Sequence, residues 1–97
     1  MTDDAAPIEA LRNLGPKSGA MLRQAGIATI GALREAGAVG GYLRVRAWWS
    51  GASLNLLWAL AAGLRDRDWR DLTAVEKRAL LDALGALSPG AAASPAP

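Results

Sequence analysis

The chain has 97 residues, 52% of them hydrophobic, a formal net charge of +2, and neither cysteine nor histidine. That length gives one domain with one core, and the missing residue types exclude disulfides, thiolate chemistry, imidazole general bases and the common zinc sites together. Leu and Ala dominate the apolar set, Phe is absent and four Trp supply most of the aromatic bulk, so the expected fold is all-α, a compact bundle of five to six short helices.

The opening MTDDAAP is acidic where a secretory signal is basic, which points to a cytoplasmic protein. Residues 1–10 read as an N-terminal extension that ends in the start of a first short helix, running from Pro7 to about Asn13. The stretch LRNLGPKSGAML then interrupts helix in its middle. Asn13 tolerates the left-handed conformation, Gly15 adopts it freely, and Pro16 is unfit for a helix interior but suits a new first turn. A turn over 13–15 follows, with a second helix starting at Pro16 or Lys17.

LRQAGI, from Leu22 to Ile27, and LREAGA, from Leu33 to Ala38, both read as helix endings. With Gly26 left-handed just past the helix, Leu22 and Ile27 occupy the two positions whose apolar contact accompanies a Schellman ending, and Gly37 repeats this with Leu33 and Ala38. Thr29 is the N-cap of a third helix over Ile30 to Ala36. A fourth runs from Val39 to Trp48, although Gly40 and Gly41 each cost roughly 1 kcal/mol relative to Ala. Ser53 caps a fifth, where Leu54, Leu57, Trp58, Ala61 and Leu64 form a stripe; its apolar run falls short of the ~20 residues that span a bilayer, so no membrane is expected. Asp66, Asp68 and Asp71 alternate with Arg65, Arg67 and Arg70 around Trp69 in a polar connector of local ion pairs. Thr73 with Glu76 makes a capping box for a sixth helix, with Leu80, Leu84 and Leu87 on one face. The helical domain thus covers 11–87, and SPGAAASPAP over 88–97 reads as a disordered tail.

Little in this inventory suits catalysis. The acidic triplet lacks the glycine of a calcium loop and puts Lys77 at its twelfth position, so no metal or other cofactor is expected. Ser18, Ser50 and Ser53 have no histidine to activate them, and the chain reads as a non-enzyme with no small-molecule substrate. Charge is uneven, however: residues 11–50 hold Arg12, Lys17, Arg23, Arg34, Arg44 and Arg46 against Glu35 alone. This points to an anionic partner for that half. At its centre, the first free amides of the second helix, around Gly15, Lys17 and Ser18, converge with the helix dipole and the Lys17 ammonium on one spot suited to phosphate. Arg12, Arg23, Arg44 and Arg46 are the candidate supporting charges. Trp48 and Trp49, about 100° apart if both are helical, cannot share one core and form a candidate protein-partner surface.

The run LRNLGPKSGAMLRQAGI resembles a helix-hairpin-helix motif, in which a glycine turn joins two short helices and its amides often meet DNA phosphate; Asn13 stands where the first of the two usual turn glycines would be. The resemblance extends further. LGPKS, AGI with Thr29, GAV followed by YLR at Tyr42 to Arg44, SLNLLWAL at Ser53 to Leu60 and DW at Asp68 and Trp69 are similar, in this order, to the C-terminal domain of the TfoX/Sxy family of competence regulators. Fuller members of that family carry an N-terminal α/β domain and help the cyclic-AMP receptor protein activate competence promoters. The resemblance therefore implies a C-terminal module standing alone, acting in transcriptional regulation by contacting DNA backbone or transcription proteins. Asn13, Gly15, Lys17 and Ser18 would form the hairpin contact. The alternative is a protein-only adaptor or a homo-oligomer that associates through Trp48 and Trp49.

Overall fold

Residues 4–87 are described by the structure, a computed structural model. A 3₁₀ turn at Ile8–Ala10 leads into helix α1 (Pro16–Gln24), then α2 (Ile30–Trp48), α3 (Leu54–Leu64), a second 3₁₀ turn at Trp69–Asp71, and α4 (Ala74–Leu87). The fold is all-helical, as expected, but with four α-helices among the described residues rather than five or six. Two differences account for the count. The first predicted helix is only the Ile8–Ala10 turn, with Pro7 outside it as N-cap, so the arm before the hairpin is not a helix. The third and fourth predicted helices run on as α2, because Gly37 breaks the backbone with φ 79° and ψ 162° yet lets helix resume at once. The tail over 88–97 lies outside the described residues.

Capping residues set most of the boundaries. Gly26 is left-handed (φ 88°), and the amides of Ile27 and Gly26 bond the carbonyls of Leu22 and Arg23 at 2.8 and 3.0 Å, which completes the Schellman ending of α1. The four leading amides of α2 are all satisfied: Ile30 and Gly31 bond the carbonyls of Ala6 and Asp4, Ala32 bonds the Thr29 hydroxyl at 3.1 Å, and Leu33 bonds the Thr29 carbonyl. Thr73 and Glu76 form the reciprocal capping box of α4, at 3.0 and 3.1 Å. Ser53 is the N-cap of α3 by position, but its hydroxyl makes no capping bond.

Helix α3 is the centre of the molecule. Every residue from Leu56 to Gly63 is buried, so the expected stripe gives way to a helix covered on most sides, and Leu54, one of the stripe residues, is instead 41% exposed. Its most extensive partner is α2, which contributes Leu33, Tyr42 and Val45 to a core shared with Leu22, Ile27, Leu57 and Leu60. Ile8 is fully buried in the same cluster, so the segment preceding the hairpin is part of the packing. On α4 only Leu84 is buried, while Leu80 is half-buried and Leu87 exposed. The buried Tyr42 hydroxyl donates to the Ala52 carbonyl at 3.0 Å. That bond pins the loop between α2 and α3, which carries Trp49 and Ser53 at the surface.

Candidate functional site

The turn over 13–15 and the start of α1 at Pro16 are as expected, but a 3₁₀ turn and not a helix precedes them, so the helix-hairpin-helix motif is not confirmed. The backbone of the turn differs too. Asn13 takes the left-handed backbone (φ 77°), whereas Gly15, expected to share it, is extended at φ −118° and serves as N-cap of α1. Having no side chain, Gly15 supplies no cap, and Pro16 follows at the first helical position. The amides of Lys17 and Ser18 precede the first i to i−4 bond of the helix, which Gly19 makes to Gly15 at 2.9 Å, and so belong to its open end. Lys17 is exposed and Ser18 part-buried.

The neighbouring predicted contacts are engaged within the chain. The Asn13 side chain donates to the Arg67 carbonyl at 2.8 Å and accepts from the Trp69 amide at 3.2 Å. Arg12 donates to the Asp66 carbonyl at 2.8 Å. Together they clamp the hairpin to the connector between α3 and α4, where Asp66, left-handed at φ 55°, ends α3 in a second Schellman arrangement: Arg67 and Asp66 amides bond Ala62 and Gly63 carbonyls at 2.9 and 3.0 Å. Arg23 forms two hydrogen bonds to Glu9, at 2.7 and 2.8 Å. Arg44 and Arg46 lie on α2 beside Leu43, Ala47 and Leu87, in a separate depression from Lys17, and Arg46 sits 5.8 Å from the centre of the Tyr42 ring. Of the basic residues over 11–50, then, Arg12, Arg23 and Arg34 bond within the chain, and Arg44 and Arg46 line a depression other than that of Lys17.

The ion pairs leave an acid signature. Arg23 holds the Glu9 carboxyl at about 2 against an ordinary 4.5, Arg70 holds Asp68 at about 2 against 3.8, and Arg67 holds Glu76 at about 2 against 4.5. A depressed folded-state pKa contributes stability that is present above the unfolded value and lost as pH falls toward the folded one. Thermal unfolding is therefore expected to move to lower temperature as pH drops from about 5 to about 2, and Glu76→Gln should flatten that decline. An equally steep decline in the variant would show that the Arg67–Glu76 pair has no part in it.

Three of the four tryptophans are at the surface, and one of them, Trp69, is not among the expected surface residues. Trp48 and Trp49 are 45% and 38% exposed and Trp69 is 37% exposed. Trp48 ends α2 and Trp49 leaves the helix with extended backbone, so instead of diverging the two rings stack, with centroids 6.3 Å apart and planes at 27°. Trp49 and Trp69 line one cavity of about 370 Å³ together with Lys17 and Ser18. The overlooked signal was Trp69 itself, a large aromatic in an otherwise charged run.

A family model described as the TfoX C-terminal domain matches residues 4–84. The chain belongs to this family. The TfoX C-terminal domain is a regulatory type of module, and its match begins at Asp4, in the segment whose carbonyls cap α2. Two crystal structures from Listeria monocytogenes are similar to this TfoX C-terminal domain. One is an uncharacterized protein in a triclinic form, 27% identical, with a TM-score of 0.76 over 84% of this chain and 93% of that one. The other is a protein of unknown function in a tetragonal form, 25% identical, with a TM-score of 0.70 over 79% and 99%. Among curated proteins none matches. No helix among the described residues is long and apolar enough to cross a membrane.

Proposed function

We propose that this TfoX C-terminal domain is a non-enzymatic module of transcriptional regulation that contacts nucleic-acid backbone at the start of α1. The observation that carries the reading is the uncapped first turn of that helix, with Gly15 as N-cap and exposed Lys17 beside it. Backbone donors, the positive dipole end and an ammonium favour phosphate there without reading base sequence. Because Arg12 and Arg23 are engaged within the chain, Lys17 is the cation on which the contact depends. Duplex DNA titrated at about 50 and about 200 mM salt should bind weakly and lose affinity as salt rises, and Lys17→Gln should reduce the salt slope by about one. No binding at the lower salt, or a slope indifferent to Lys17, would sink the DNA reading.

A protein-only adaptor or self-associating domain is the second reading, favoured by the exposed, stacked pair Trp48 and Trp49. Light scattering on the native chain and on Trp49→Ser separates the two: a monomer in both cases removes self-association.

A further inference from the structure

We propose that the cavity between Trp49 and Trp69 takes one unpaired nucleotide, its ring against the indoles and its phosphate at Lys17. This rests on the nucleic-acid reading above and gives it a second, ring-specific component. The cavity measures about 370 Å³, within the range of roughly 300–1,000 Å³ usual for small-ligand sites. Its walls and rim differ in chemistry. Trp49 and Trp69 supply aromatic surface, Leu56 and Ala59 add apolar lining, and Lys17, Ser18 and Asn55 supply a cation and hydrogen-bonding groups. No carboxylate lines it, and Asp68, next to Trp69 in the chain, is neutralised by Arg70 at 3.0 Å. Charge complementarity thus favours an anion, and two tryptophans in the lining favour a flat ring on it.

The Trp49 indole, and the backbone under Trp69, are held before any ligand arrives. The Trp49 indole lies on Gly51, where an added Cβ would stand 3.0 Å from its Nε1, and it stacks on Trp48. The backbone that carries Trp69 is held through its amide to the Asn13 side chain at 3.2 Å. Prior fixing of the walls lowers the ordering cost of binding. Base stacking on aromatic side chains is tolerant of base identity. In a duplex the rings are stacked within the helix and only phosphate reaches Lys17, so an unpaired strand binds more tightly than a duplex.

The test uses the full chain and a fluorescein-labelled oligothymidylate of about eight nucleotides, followed by anisotropy at low salt and competed with thymidine monophosphate, inorganic phosphate or unlabelled duplex. The expected result is tighter binding of the single strand than of the duplex, and a loss of about tenfold in each of Trp69→Leu and Gly51→Val, with unchanged circular dichroism in at least one of them. Displacement by the mononucleotide, with inorganic phosphate much weaker, assigns the site to free nucleotides as well; failure of the mononucleotide to displace assigns it to strands. If both folded variants bind the oligonucleotide as the native chain does, or if phosphate displaces it as well as the mononucleotide, the cavity is not the ring site. Lys17-dependent duplex binding would survive that outcome. If neither strand, mononucleotide nor duplex binds at low salt, this inference and the nucleic-acid reading fall together.

Discussion

Gly63→Val is expected to destabilise the domain by about 3 kcal/mol, read as a lower urea midpoint with unchanged slope. Gly63 is on the buried α3, where the hairpin crosses it. A Cβ there would lie 2.5 Å from the Arg12 carbonyl oxygen and 3.0 Å from the Leu11 side chain. A backbone oxygen cannot rotate out of the way, so residues 11–12 must shift, and with them the Arg12 bond to Asp66 and the Asn13 bonds to the connector. Even Gly63→Ala should destabilise, because the helix-propensity gain of about 1 kcal/mol is smaller than the clash. Gly85→Ala is the internal control. Nothing lies within 4 Å of a Cβ at that α4 position, so the same change there should stabilise by up to about 1 kcal/mol. Equal effects at the two glycines would refute the close approach of hairpin and helix.

Asn13→Ala should cost a similar amount, about 3 kcal/mol, from two sources of different kind. The side chain gives up its bonds to Arg67 and Trp69, each worth about 1 kcal/mol. The backbone, at φ 77°, charges alanine about 1 kcal/mol more for the left-handed conformation. Asn13→Gly separates the two: it relieves the backbone and removes only the side chain, so a loss of about 2 kcal/mol is expected. Glycine is the residue that the helix-hairpin-helix resemblance would place here. A glycine variant as stable as the native chain would mean that the clamp contributes nothing and that Asn13 is a turn residue only.

The parts of the fold legible in the sequence are those governed by neighbours in the chain. Thr29, Gly26, Pro16 and the Thr73–Glu76 pair each act within about one helical turn, so their spacing announces them. Gly37 was legible as a break, but its ψ of 162°, which lets α2 resume without a loop, has no local sign. The stripe read into α3 understated its burial, because a central helix is covered on most sides and periodicity reports a single face, while Leu54 is exposed at the first residue of the helix. At the candidate site the missing information was tertiary. Arg23 looked available for a ligand until the fold brought Glu9 to it from 14 residues earlier, and Arg12 and Asn13 are spent on carbonyl and amide groups 54 to 56 positions away. No residue-type rule anticipates a side chain bonding to distant backbone.

The Asn13 clamp also sorts two adjacent amides by how they exchange with deuterium. The Trp69 amide sits in a surface turn but is bonded to the side chain of a residue 56 positions earlier, so its exchange requires that long-range contact to break. The Arg70 amide next to it is bonded to Asp68, two residues away, and is released by fraying of the turn alone. Neighbouring protons in one 3₁₀ turn therefore answer to different openings, one of the turn and one of the clamp. The ratio of their protection measures how much more often the turn frays than the clamp opens.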